Sequence, residues 1–258
     1  MIIIKTKKEI EILREGGKRL ATVLHKVKEK VAPGISTKEL DIYAEKLIKD
    51  LSDEPAFLNY RPEGAAKPYP ASLCVSVNDE VVHGIPSSNR VLKEGDIVSL
   101  DLGLRHLGLF TDMAITVPVG AVSEGSERLM QTTEKALQIG IDAAQGGNTV
   151  GDIGYAIESF VRSRKENNYG IVEVLSGHGV GRAIHEDPYI PNFGKRGSGN
   201  KLVPGMIIAI EPMLNLGTKN VVQDEDGYTI RTADGKKSAH FEHTVLITAG
   251  EPEILTQI

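Results

Sequence analysis

Leu92-Lys93-Glu94-Gly95-Asp96-Ile97-Val98-Ser99-Leu100-Asp101 is matched 110 positions later by Leu202-Val203-Pro204-Gly205-Met206-Ile207-Ile208-Ala209-Ile210-Glu211. In both stretches a glycine turn feeds an apolar run of strand character, and the run ends in a carboxylate. Further matches keep the same order along the chain. Ala32, Gly34, Thr37, Tyr43 and Ala44 correspond to Ala144, Gly146, Thr149, Tyr155 and Ala156, His83-Gly84-Ile85 to His178-Gly179-Val180, and Asp112 and Gly120 to Glu242 and Gly250. The unequal spacings predict a diverged duplication with loop insertions, its pseudo-repeats covering approximately 7–120 and 125–250. Two such halves, each short of a full core, are expected to share one curved sheet with helices behind it. The predicted fold is therefore α+β: a single domain over residues 1–258, pseudo-twofold, with an antiparallel-rich sheet covered by helices.

Helix signals lie outside the quoted stretches. Thr6 with Glu9 forms a capping box ahead of a helix expected over Lys7–Val31, whose apolar face includes Leu13, Leu20, Leu24 and Val27. Ser36 with Glu39 opens a second, a third is expected near Glu127–Ala144, and Thr149 with Asp152 opens a fourth. Strand character is read at Leu73–Val77, Ile97–Leu102, Ala114–Val117, Ile171–Leu175, Met206–Ile210 and Thr244–Ile247.

The 258 residues have a globular composition, 40% apolar and 25% charged, which excludes a disordered or fibrous chain. A net charge of -5 with no long basic run argues against stable nucleic-acid binding. The apolar start Met1–Ile4 is closed by Lys5, Lys7 and Lys8, and no stretch of about 18 apolar residues follows, so a cytoplasmic protein without membrane contact is expected. Cys74 is the single cysteine, leaving neither a disulfide pair nor a thiolate zinc cluster. Any metal must be held by histidines and carboxylates.

Packing the halves about a twofold axis brings Asp101, Asp112, Glu211 and Glu242 to the centre together with His178. A carboxylate at a strand end, taken alone, is usually a turn residue or a surface ion-pair member. Four of them in one cleft repel one another unless cations offset the charge, and two divalent ions do so in full. Shared carboxylates hold such ions roughly 3.5–4 Å apart, a spacing suited to activating a water. Oxygen donors with one imidazole fit several first-row metals without selecting one.

The segments His83-Gly84-Ile85-Pro86, Asp101 to Asp112, Gly177-His178-Gly179-Val180-Gly181-Arg182 with His185-Glu186-Asp187-Pro188, Ile210-Glu211-Pro212-Met213 and Phe241-Glu242-His243-Thr244 resemble methionine aminopeptidases of the first, bacterial-type class, over nearly the whole chain. The resemblance implies the pita-bread (creatinase/aminopeptidase) fold and two divalent metal ions, drawn from Co, Mn, Fe(II), Zn or Ni. By position, Asp112 and Glu242 would bridge the metals, Asp101 would complete one, and His178 with Glu211 the other. It further implies removal of the initiator methionine from nascent chains when the second residue is small, a metal-bridging hydroxide being the nucleophile. Glu211 would relay the proton, His185 would steady the developing oxyanion, and His83 would hydrogen-bond the scissile amide.

Tyr69, Cys74 and Tyr228, soft or apolar groups suited to a thioether, would line the side-chain pocket. Relatives usually carry Trp at the position of Tyr228, Phe at that of Ile184 and Thr at that of Gly103. His240, two residues before Glu242, stands where Gln is common, and is either a donor behind the site or an exposed strand-edge residue. A monomer with transient ribosome contact is expected. The rival readings are an Xaa-Pro aminopeptidase, usually with a whole domain ahead of the catalytic one where only 82 residues precede His83 here, and a non-enzymatic binding protein of the same fold.

Overall fold

The structure is a computed structural model that describes residues 2–62, 64–164 and 168–258. Met1, the head of the apolar start, lies outside them, as do residues 165–167 of the second repeat. The first half runs α1 (Lys7–Lys28), α2 (Thr37–Asp50), β1 (Glu54–Pro55), β2 (Leu73–Val77), β3 (Glu80–Val82), β4 (Ile97–His106) and β5 (Leu109–Pro118). After α3 (Glu124–Ala143) and α4 (Val150–Arg162) come β6 (Gly170–Ile171), β7 (Ser176–Gly179), β8 (Glu186–Pro191), β9 (Ile207–Ile210) and β10 (Met213–Asn215). The chain closes with β11 (Val221–Gln223), β12 (Ile230–Thr232), β13 (Ser238–His240), β14 (Glu242–Leu246) and β15 (Glu253–Ile254).

The helices start where side chains satisfy their free N–H groups. Thr6 Oγ1 accepts from Glu9 N at 3.3 Å and Ser36 Oγ from Glu39 N at 3.3 Å, with both glutamates reaching back to the cap N–H. α1 stops at Lys28, three residues short of the expected Val31, because the chain turns ahead of Pro33 and Gly34, the latter at φ +96°. Ser123 caps α3 by accepting from Ser126 N, so that helix opens at Glu124, a turn earlier than expected.

A nine-stranded antiparallel sheet runs in the order β1-β4-β5-β14-β9-β7-β8, with β2 added to β4 and β15 to β14. Its centre is the hairpin β4–β5, whose two strands of ten residues each are longer than the short runs expected. Leu107 and Gly108 turn it at positive φ, +47° and +88°, as a tight two-residue hairpin requires. β5 and β14 join the halves, Ala114 opposite Glu242 and Met113 opposite His243. Behind the first half Leu20, Leu24, Leu40 and Ile48 pack on Leu73, Val98 and Leu100; behind the second Leu137, Ile141, Ile153 and Ile157 pack on Ile208, Ile210 and Val245. Ile115 packs against both cores.

The strand expected over Ile171–Leu175 shrinks to Gly170–Ile171, since Glu173 pairs with Lys219 and Val174 lies exposed. β8 escapes a pattern search because Pro188 and Pro191 interrupt it.

Candidate active site

β4 and β5 bring Asp101 and Asp112 to one face of the hairpin, Asp101 opposite Ala114 and Asp112 opposite Gly103. β7 contributes His178, Glu211 follows the last residue of β9, and Glu242 begins β14. These side chains open into one cavity of about 520 Å³, which His83, His185, Tyr69, Cys74 and Tyr228 also line. Every residue proposed from the sequence for the site therefore reaches a single space. A cleft of about 610 Å³ on the reverse face of β5 and β14 holds none of them.

Ligand atoms of Asp112, His178 and Glu242 all lie within 4.8 Å of one another. His178 Nδ1 meets the Gly179 carbonyl at 2.9 Å, and a carbonyl can only accept, so the ring proton sits on Nδ1. Nε2 is left as a lone pair, 3.5 Å from Glu211 Oε1 and 4.0 Å from Asp112 Oδ2. Burial holds this imidazole down at about 3, hence neutral at pH 7. Asp101 and Glu242 are pushed well above the usual carboxylate range, first by burial and then by neighbouring carboxylates. Among the described residues, no lysine or arginine lines the cavity to offset them.

Two of these oxygens, Asp101 Oδ1 and Glu242 Oε1, are buried without any hydrogen-bond partner. Orphaned buried carboxylate oxygens are costly, and a cation among them removes the cost. Four carboxylates with one neutral imidazole whose free nitrogen faces them thus fit divalent metal ions. Thr244 Oγ1 fixes the frame, accepting from Asp112 N at 2.9 Å and donating to Asp112 O at 2.8 Å.

The other histidines differ in setting. His83 sits at φ +59°, a left-handed conformation uncommon for a side chain of its size, and burial lowers its pKa to about 4. Gly84 beside it must be glycine, because a Cβ would stand 2.4 Å from Val75 O. His185 lies at the exposed mouth of the cavity, its ring edge-on to His178 at 4.5 Å and its Nδ1 2.8 Å from the Tyr60 hydroxyl. His240 is only 1% exposed, with Nε2 3.5 Å from Glu211 Oε2 and no hydrogen-bond partner on either ring nitrogen. It is thus a buried neighbour of the site, and the strand-edge alternative falls. Lone His25 and His106 are held elsewhere, on Ala21 O and Asp53.

In the side-chain pocket Tyr69 meets Tyr228 edge-on at 5.2 Å above the buried Cys74. Phe57, Tyr60 and Leu175 are among the other residues lining the cavity, and sequence reading missed all three. Phe57 and Tyr60 lie in a segment without strand or helix periodicity, so no pattern marks them. Phe57 also accounts for Gly103: a Cβ there would meet the Phe57 ring at 2.8 Å. Ile184 is buried in the adjoining core instead of facing the cavity.

Residues 11–249 match the metallopeptidase family M24, and the chain belongs to that family. It has the family's pita-bread fold. Over its whole length it is 46% identical to the methionine aminopeptidase of Clostridium perfringens and 44% identical to methionine aminopeptidase 1 of Bacillus subtilis, covering 100% of each. The crystal structure of methionine aminopeptidase from Thermotoga maritima matches with a TM-score of 0.94 at 42% identity, over 100% of both chains. The prolidase from Pyrococcus furiosus, at 24% identity and a TM-score of 0.75, covers 99% of this chain and 66% of its own, a likeness of fold alone.

Proposed function

We propose that this protein is a methionine aminopeptidase that removes the initiator methionine from nascent chains whose second residue is small. The observation that carries this reading is the set of buried carboxylates, two with unpartnered oxygens, beside a pocket of soft and aromatic groups. Asp112 and Glu242 would be shared by two divalent cations, Asp101 would complete one, and His178 with Glu211 the other. Co, Mn, Fe(II), Zn and Ni all suit these donors. Such cations supply Lewis acidity and a water acidified toward neutral pH.

The chain's own residues do the rest. Glu211, directly after β9, takes a proton from the attacking water and returns it to the leaving amine, a role open to it once bound cations keep it ionised near neutral pH. His185 donates a hydrogen bond to the carbonyl oxygen as charge develops there, and His83 binds the scissile amide from the other side. Tyr69, Cys74 and Tyr228 receive the methionine thioether. The cytoplasm, where nascent N-termini emerge, is its place on this reading, with the protein acting as a monomer in transient contact with ribosomes.

Residue release from Met-Ala-Ser, Leu-Ala-Ser and Ala-Pro-Ser, followed by mass spectrometry on chelator-treated protein with and without Mn or Co, tests the reading. Metal-dependent release of Met alone is expected. Release before Pro would move the protein to the Xaa-Pro peptidases, and no release with any metal would favour a binding protein of the same fold.

A further inference from the structure

The segment ahead of α1 carries a lysine that the reaction does not use. Lys5 is 4% exposed, the only buried lysine among the described residues. Its Nζ lies 2.5 Å from Glu186 Oε2, with the two side chains 1% and 4% exposed. Both charges give up their hydration to make this contact, so the pair is a poor source of net stability. What it holds is visible from the other Glu186 oxygen. Oε1 accepts from Arg182 N at 2.6 Å and Ala183 N at 3.0 Å, closing the turn from which His185 projects.

The same turn is tied down on every side. Gly181 O accepts from Phe110 N at 2.7 Å, two residues before Asp112, and Arg182 Nε reaches Glu9 Oε1 in the first turn of α1 at 2.7 Å. Lys5 N in turn donates to Gly205 O at 2.9 Å, in the turn that leads into β9 and Glu211. At Gly181, φ is +141° and a Cβ would stand 2.4 Å from Lys5 Cε, so the lysine stem runs beneath the turn through a slot that only glycine leaves open. Lys5 itself does not line the cavity.

We propose that Lys5 is a positioning residue: through Glu186 it fixes the turn that sets His185 at the mouth of the active-site cavity. The N-terminal segment is then part of the catalytic apparatus although it touches no substrate. The inference rests on the reading that His185 acts on the substrate carbonyl.

The test measures Met release from Met-Ala-Ser by metal-loaded wild type, Lys5→Met, His185→Ala and the double variant. Lys5→Met should lower kcat by about tenfold or more with KM changed less than about twofold, and should change kcat less than about twofold once His185 is already alanine. Equal losses in the two backgrounds would overturn the inference alone. An unchanged kcat in His185→Ala would overturn the reading of His185 and the inference with it. Because Lys5→Met strands a buried carboxylate, Lys5→Met/Glu186→Gln separates folding from placement: it should regain the wild-type melting temperature while kcat stays low, and recovery of both counts against the proposal. Histidine-ring NMR needs no turnover. The His185 resonances should shift in Lys5→Met while those of His83 stay, and unmoved His185 resonances would refute the placement even in a protein that released no Met.

Discussion

Among the described residues, two buried clusters of carboxylate and imidazole are built on opposite rules. In one, Asp53 accepts from His106 Nδ1 at 2.7 Å and from Arg19 at 3.3 Å, so each oxygen of the carboxylate has a partner. In the other, Asp101, Asp112, Glu211 and Glu242 face one another around His178, two oxygens have no partner, and among the described residues no arginine or lysine lines the space. The first cluster is complete once the chain has folded. The second is left incomplete by the chain, and that incompleteness separates a candidate binding centre from a structural ion pair more sharply than burial, which the two share.

Substitution in each cluster should therefore fail in different ways. Glu211→Ala is expected to lower kcat by at least ~10³-fold, because on the proposed reading one group both moves the proton and holds a metal, and to weaken metal binding in calorimetry. Full activity in that variant would sink the assignment. Asp53→Ala should leave metal content and kcat near wild type while costing about 2–3 kcal/mol of stability, since it leaves the buried His106 Nδ1 without its partner while Arg19 keeps Glu15 and the Leu51 carbonyl. An unchanged denaturant midpoint would erase the distinction drawn between the clusters.

Metal removal sharpens the contrast without mutation. Restoring metal to chelated protein at about a hundredfold excess over Kd should raise stability by about 2.7 kcal/mol, read as a higher melting temperature. A melting temperature indifferent to metal would mean that the four carboxylates are satisfied by the chain alone.

The smallest effect is in pH. Burial pushes Glu211 up to about 8, and burial with the Glu211 charge does the same to Asp112. A native carboxyl that keeps its proton longer than the unfolded chain does loses stability as pH rises from the unfolded value, about 4, through about 8. The buried imidazoles act in the opposite sense: His178 and His240 at about 3 and His83 at about 4 lose stability as pH falls below their ordinary 6.5. Between 6.5 and 8 the carboxylates therefore dominate, and chelated protein should weaken by on the order of 1–2 kcal/mol across that interval. Saturating metal should flatten the slope, and chelated protein equally stable at both pH values would contradict the account.

Much of the first cluster's counterpart could be read in advance from the chain. The carboxylates are legible because they occupy matching positions in repeated strand signals, and strand periodicity is local. Helix starts are legible for the same reason, each cap acting over three residues. The β4–β5 hairpin is longer than its sequence suggests because Gly103, Arg105 and His106 look unlike a strand interior, and Gly103 is explained by the Ala56 Cβ and the Phe57 ring packed against it.

The sequence by itself therefore determined the class of fold, the helix boundaries to within a turn, and which carboxylates and histidines to expect in one place. Tertiary structure alone decided that His240 is buried beside Glu211, that Tyr60 meets a histidine 125 residues away, and that Lys5 reaches across 181 residues to Glu186. These contacts join segments with no shared period or register. Packing, which brings distant loops and strand ends together at side-chain distance, is what creates them.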